Sequence, residues 1–223
     1  MPAELEAIVF DLDGTLIDSA PELTKALNAT LAEYGRGPLR VEAVKLMIGD
    51  GIDKLVERGL AATGAPAGEE QLTALGTRVR EFYSNAGVSK PYPGVVQLLE
   101  KFRSERLKLA ICTNKPYLPT MHILTGLGFS DHFAAVAGGD SYRTRKPDPG
   151  PLRAILRALG ATPATTVMVG DSPNDVGTAR GAGVPIIAVS YGYSRVPAQE
   201  LGADLVIDRF DEIPAAIAEL GFA

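Results

Sequence analysis

Ala7-Ile-Val-Phe-Asp-Leu-Asp-Gly-Thr15 is the stretch that decides the fold. Four apolar residues run from Ala7 to Phe10 and break directly into two aspartates, a glycine and a threonine. A short uninterrupted apolar run bounded by turn residues reads as a strand buried on both faces, the habit of parallel sheets. The polar loop then leaves the sheet at the strand's carboxyl end. That is the edge where open α/β sheets bind ligands.

Beyond Asp18 the pattern changes. Leu23, Leu27, Leu31 and Tyr34 recur at helical spacing. Further helical stretches are predicted near 41–48, 51–63 and 69–85, separated by Gly and Pro, with no strand-like run among them. Lys90-Pro-Tyr-Pro-Gly94 punctuates the end of this segment. Alternation then resumes. Val95, Leu98, Leu99 and Phe102 mark a helix, Leu107 to Cys112 a strand, 117–127 a helix, and Phe133 to Ala137 a strand. Leu152, Ile155, Leu156 and Leu159 stripe another helix. Thr166 to Val169 is a strand, 174–182 a helix, Pro185 to Val189 and Leu205 to Ile207 strands, and 211–220 the last helix. Alternating strands and helices predict an α/β fold, a doubly wound parallel sheet. The expected organisation is a Rossmann-like core from residues 1–17 and 86–223. An all-helical cap domain, 18–85, is inserted after the first strand, where it can act as a lid.

Bulk properties narrow the function. The chain has 223 residues, 46% of them hydrophobic, enough to bury a large core without staples. The formal net charge is -5, which argues against a nucleic-acid partner. No window approaches the 18 apolar residues of a membrane span, and the N-terminus does not read as a signal peptide. A cytoplasmic protein, monomer or homodimer, without membrane partners is expected. The single cysteine, Cys112, reads as a buried strand residue, and His122 and His132 as surface or packing residues.

Four polar clusters follow predicted strands or loops: Asp11-Leu-Asp13-Gly14-Thr15, Thr113-Asn114-Lys115, Arg145-Lys146-Pro-Asp-Pro149 and Gly170-Asp171-Ser-Pro-Asn-Asp175. Parallel strands end on one edge, so Asp11, Asp13, Asp171 and Asp175 should converge. Two like charges ~4 Å apart repel by about 4 kcal/mol at an effective dielectric of ~20. Such a cluster needs a cation, a lysine or protonation. One divalent ion takes four negative charges to two, and Lys146 takes them to one. An all-oxygen set favours a hard ion, and Mg²⁺ fits. Asp11, at the strand tip, can attack phosphorus in line. Asp13 can protonate the leaving alkoxide and later activate water. Thr113 and Asn114 offer a hydroxyl and an amide to phosphate oxygens, and Lys146 offsets charge on the transferring group. Asp171 is the second metal carboxylate. Asp175 orients either the metal's water shell or Lys146. Gly14 gives the turn and lets backbone N–H groups approach phosphate.

In combination these motifs resemble the four motifs of the haloacid dehalogenase superfamily of phosphohydrolases, over essentially the whole chain and including a helical cap. The resemblance implies Asp11 as nucleophile and Asp13 as general acid/base. It also implies metal ligation by the Asp11 carboxylate, the Asp13 backbone carbonyl and Asp171. Three further stretches, Gly49 to Arg58, Gly138 to Pro149 and Tyr191-Gly-Tyr193, are similar to the branch that hydrolyses 2-phosphoglycolate to glycolate and phosphate. The chain departs from that branch at Asp50, where Asn is expected, and at Asp148, where His is expected, both near where a substrate would sit. In the cap, Gly49, Asp50 and Gly51 form a candidate substrate-reading turn, and Lys45, Lys54 and Arg58 are candidate partners for a substrate carboxylate.

The expected partner is therefore a small phosphate monoester. Asp13 and Asp171 argue against a metal-free dehalogenase. A sugar-phosphate phosphatase or phosphomutase, or a phosphonate hydrolase using a cap lysine, stays open on the motifs. A non-catalytic binding module is disfavoured because all four carboxylates are present. Gly-x-Ser-x-Gly, a Walker loop and a dinucleotide fingerprint are all absent.

Overall fold

The computed structural model describes residues 4–64, 68–84 and 89–222. Asn85 and the expected boundary at 85–86 lie outside them. Two compact units emerge: Met1–Asp18 with Pro91–Ala223, and Ser19–Lys90.

The first unit is built on a six-stranded parallel sheet. Its strands are β1 (Ala7–Phe10), β4 (Lys108–Cys112), β5 (Phe133–Ala137), β6 (Thr166–Gly170), β7 (Ile186–Val189) and β8 (Leu205–Ile207), in the order β5-β4-β1-β6-β7-β8. Two two-residue strands not expected from the sequence, β2 (Ile17–Asp18) and β3 (Lys90–Pro91), form a separate small sheet. β1 pairs on one side with β4, Phe10 opposite Ile111, and on the other with β6, Phe10 opposite Val169. The chain order runs outward in both directions from β1. The carboxyl ends of β1, β4 and β6 thus flank the topological switch point, where such sheets hold ligands.

β1 is fully buried and alternates faces. Ala7 and Val9 join a cluster with Ala110, Met168, Leu152, Ile155, Leu156 and Val176. These last four lie on helices α7 (Gly150–Leu159) and α8 (Pro173–Ala182), whose apolar stripes cover that face. Phe10 points the other way, with its ring 5.8 Å from that of Phe210. Helices α5 (Val95–Ser104), α6 (Tyr117–Gly126) and α9 (Ile213–Glu219) complete the unit. Packing on both faces leaves only the strand ends for polar chemistry. No helix among the described residues is long and apolar enough to cross a membrane.

The second unit is helical: α1 (Ala20–Glu33), α2 (Val41–Lys45), α3 (Ile52–Thr63) and α4 (Glu69–Ser84). Leu23, Leu27 and Leu31 of α1 are buried, as their spacing predicts, as are Leu75 and Val79 of α4. Gly59 of α3 lies against Leu27; an added Cβ there would press on both Leu27 methyls at 3.1 Å.

Candidate active site

The Asp11–Ile17 segment turns tightly at the end of β1. The Leu12 carbonyl accepts hydrogen bonds from the backbone N–H groups of Thr15, Leu16 and Ile17, and Gly14 N–H donates to the Ile17 carbonyl. Gly14 holds φ at +86°, a left-handed value that favours glycine. A Cβ there would also overlap the Asp171 carboxylate. One glycine therefore serves both the turn and the close approach of two motifs from opposite ends of the sequence.

Asp11 is buried. Its Oδ1 accepts the Leu12 N–H at 2.7 Å and faces Lys146 Nζ at 2.8 Å. Lys146 Nζ also donates to Asp175 Oδ1 at 2.6 Å. The other Asp175 oxygen, Oδ2, accepts from Ser172 N–H, Ser172 Oγ and Asp171 N–H, in a capping box at the start of α8. Asp175 thus has both oxygens occupied, and of the two roles left open for it, holding Lys146 is the contact formed. Gly170 makes room, since a Cβ there would overlap the Asp175 side chain.

Asp171 accepts Tyr193 N–H on Oδ2 at 2.6 Å and the Thr15 hydroxyl on Oδ1 at 3.5 Å. Side chains larger than hydrogen at Gly14 or Gly192 would fill this cradle. Asp11, Asp171 and Asp175 each offer an oxygen within 4.8 Å of the others, a group that can hold a metal ion. Burial pushes the Asp11 carboxyl up to about 6, with Lys146 opposing and Asp175 reinforcing the shift. Burial, then Asp175 and Asp11, raise Asp171 well above the usual carboxylate range. Burial pulls Lys146 down, but Asp11 and Asp175 outweigh it and hold the ammonium above its ordinary value. This arrangement carries more acid than base.

Asp13 has its own cation. Lys115 Nζ lies 3.1 Å from both Asp13 oxygens, and its side chain is only 5% exposed. Two lysines among four carboxylates leave two negative charges, which one divalent cation would cancel. The charge balance drawn from the sequence includes Lys146 alone, and Lys115 adds a second cation.

Residues 5–183 match the haloacid dehalogenase-like hydrolase family. The chain belongs to that family. It is 48% identical to the phosphoglycolate phosphatase of Rhodospirillum rubrum over 92% of this chain and 88% of the relative. To the phosphoglycolate phosphatase of Caulobacter vibrioides it is 44% identical, over 96% and 91%. A crystal structure of a predicted phosphoglycolate phosphatase from Haemophilus somnus superposes with a TM-score of 0.90 at 30% identity, covering 95% of this chain and 97% of that one.

The remaining positions of this haloacid dehalogenase-like hydrolase divide into two groups. Thr113 and Asn114 lie buried at the end of β4, beside β1. Thr113 Oγ1 accepts the Lys115 N–H, and Asn114 Nδ2 donates to the Lys146 carbonyl. These contacts pin two motif loops to each other. Asp148 instead stabilises the entry to α7: its Oδ1 accepts from the Thr144 hydroxyl and from Gly150 N–H. That local bonding accounts for Asp148 without a ligand. Cys112 is buried, and burial raises its thiol to about 12, so it stays protonated.

Within the helical unit, Gly49 and Gly51 hold φ at +115° and +91° around Asp50. Asp50 pairs with Arg58 at 2.5 Å, and Arg58 also donates to the Met47 carbonyl at 2.8 Å. These two candidate substrate-reading residues also pair with each other and brace the turn. Lys54 pairs with Glu57 on the surface of α3, and Lys45 closes α2. Sequence reasoning missed Lys115 and the Tyr193 N–H. A signal for Lys115 was available: it stands three residues past Cys112, the end of the strand that pairs directly with β1.

Proposed function

We propose that this enzyme is a Mg²⁺-dependent phosphatase that hydrolyses 2-phosphoglycolate to glycolate and phosphate through an aspartyl-phosphate on Asp11. The observation that carries the reaction is the buried set Asp11, Asp171, Asp175 and Lys146 at the switch-point edge of the sheet. The substrate follows from the two relatives named phosphoglycolate phosphatase. The residues fit the metal. Asp175 is engaged on both oxygens, by its own loop and by Lys146, so Asp11 and Asp171 would be the carboxylate ligands, joined by the Asp13 carbonyl. Few carboxylates, waters and a substrate oxygen suit Mg²⁺. When bound, the ion would offset negative charge on the transferring phosphoryl group.

Asp11, ionised above about pH 6, attacks phosphorus and expels the alkoxide. Asp13 protonates that leaving oxygen. It then takes a proton from the water that cleaves the acyl phosphate. Lys146, fixed between Asp11 and Asp175, keeps the nucleophile aimed and partly neutralised. Thr113 and Asn114 and the Gly14 turn line the phosphate pocket. The helical unit Ser19–Lys90, inserted in the chain after β1, is the cap.

Asp11→Asn tests the mechanism, because an amide cannot attack phosphorus. Turnover is expected to fall by roughly four orders of magnitude. Wild-type rates in a deamidation-free preparation would refute it. A substrate panel ranked by kcat/KM under Mg²⁺, with phosphoglycolate beside sugar phosphates, nucleotides and phosphonates, tests the substrate.

A further inference from the structure

Beyond pairing with Asp13, the buried ammonium of Lys115 has no assigned role in the reaction just described. It is held rigidly. Its N–H donates to Thr113 Oγ1 at 3.2 Å, and its carbonyl accepts Gly139 N–H at 2.8 Å. Gly138 and Gly139 are needed for that closure, since a Cβ on either would collide with the backbone of Asn114 to Tyr117. The backbone is therefore fixed on both sides, and the side chain ends 3.1 Å from both oxygens of Asp13.

We infer that Lys115 is a specificity residue that recognises a carboxylate on the leaving group. This rests on the phosphoglycolate reading above. The acid/base Asp13 must touch the leaving oxygen, so whatever Asp13 contacts lies on the leaving-group side. In 2-phosphoglycolate one methylene separates that oxygen from the carboxylate. An anionic group arriving there would meet repulsion from Asp13 unless a cation stood beside it, and Lys115 is that cation. A desolvated ammonium makes a stronger electrostatic contact than an exposed one. The cap offers less: Arg58 and Lys54 are each committed to a carboxylate of their own segment, Asp50 and Glu57. A neutral alkyl phosphate would leave Lys115 on Asp13 and gain nothing from it.

The test compares 2-phosphoglycolate with 2-hydroxyethyl phosphate, which carries a neutral hydroxymethyl group in place of the carboxylate. Lys115→Met, Lys115→Arg and the wild-type protein are assayed with Mg²⁺, and thermal unfolding verifies that each is folded. Loss of the ammonium from Asp13 slows both substrates. Only loss of carboxylate recognition changes the ratio of their kcat/KM values. The wild-type preference for phosphoglycolate should shrink by about 100-fold in Lys115→Met and be partly kept in Lys115→Arg. A wild-type preference that survives unchanged in Lys115→Met overturns the role of Lys115 and leaves the substrate reading standing. A wild-type enzyme with no preference overturns both.

Discussion

The strand-end site and the Gly49–Gly51 turn use the same residue types for opposite ends. Both bring aspartates and basic side chains together. At the strand ends the partners are desolvated: Lys146 and Asp175 side chains are 2% and 0% exposed. In the helical unit, Lys54 and Glu57 are 49% and 50% exposed, and Arg58 and Asp50 lie between these extremes. Burial makes the difference. Removing water raises every pairwise energy and penalises every unpaired charge. The core ion pairs are therefore costly to break, whereas those of the helical unit brace local backbone at small energies.

Replacing the cation of the core should expose this contrast most strongly. Lys146→Met leaves Asp11 and Asp175 buried without their shared partner. Breaking a buried pair costs about 3–5 kcal/mol, so the variant should lose much of its stability in chemical denaturation as well as its activity. A loss below about 1 kcal/mol would mean that the core pairs behave like surface ones.

Metal binding should show a pH dependence that sharpens the comparison. Asp11 sits at about 6 in the folded protein, against an ordinary 3.8. Between those values the folded state binds more protons than the unfolded one, so the contribution of Asp11 favours folding at low pH and is lost as pH rises through about 6. Asp171 shifts in the same direction. A divalent ion must displace these protons. Mg²⁺ should therefore bind about tenfold more weakly, or weaker still, near pH 5 than near pH 7, and its stabilising effect in thermal unfolding should grow over the same interval. Equal stabilisation at both pH values would contradict a metal held by these two carboxylates.

The helical unit should respond mildly. Arg58→Ala removes the Asp50 pair and the bond to the Met47 carbonyl, for an expected cost of about 1–2 kcal/mol in stability. Lys54→Ala breaks only an exposed pair and should change stability by less than about 0.5 kcal/mol in the same measurement. If Lys54→Ala proves the costlier of the two, burial is not what separates these regions.

Much of the site was legible before the structure because motif spacing and strand order are written locally. Asp11 and Asp171 each follow a continuous apolar strand, and a parallel sheet must bring such ends to one edge. Asp175 was also visible, although its two possible tasks could not be separated until its oxygens were traced to Lys146 and to the Ser172 turn. Arg58 and Asp50 were legible as charged residues near a glycine turn, but not as partners of each other. Pairing over eight residues depends on how the turn folds back on α3. Asp148 was legible as a polar residue after Lys146-Pro147, but not as the acceptor that closes the entry to α7, because that bonding depends on how the loop turns into the helix.

The sequence alone determined the order of strands and helices, the fold class and the identity of the four carboxylates, since apolar periodicity and motif spacing are properties of neighbours along the chain. The tertiary structure decided which lysine serves which aspartate, that both oxygens of Asp175 are engaged, and that Gly14 and Gly192 open the cradle around Asp171. Those outcomes depend on approaches between residues far apart in the chain, as with Gly14 and Asp171. Whether a charge in that setting is paired, and what it is then free to do, is settled by burial and approach in space.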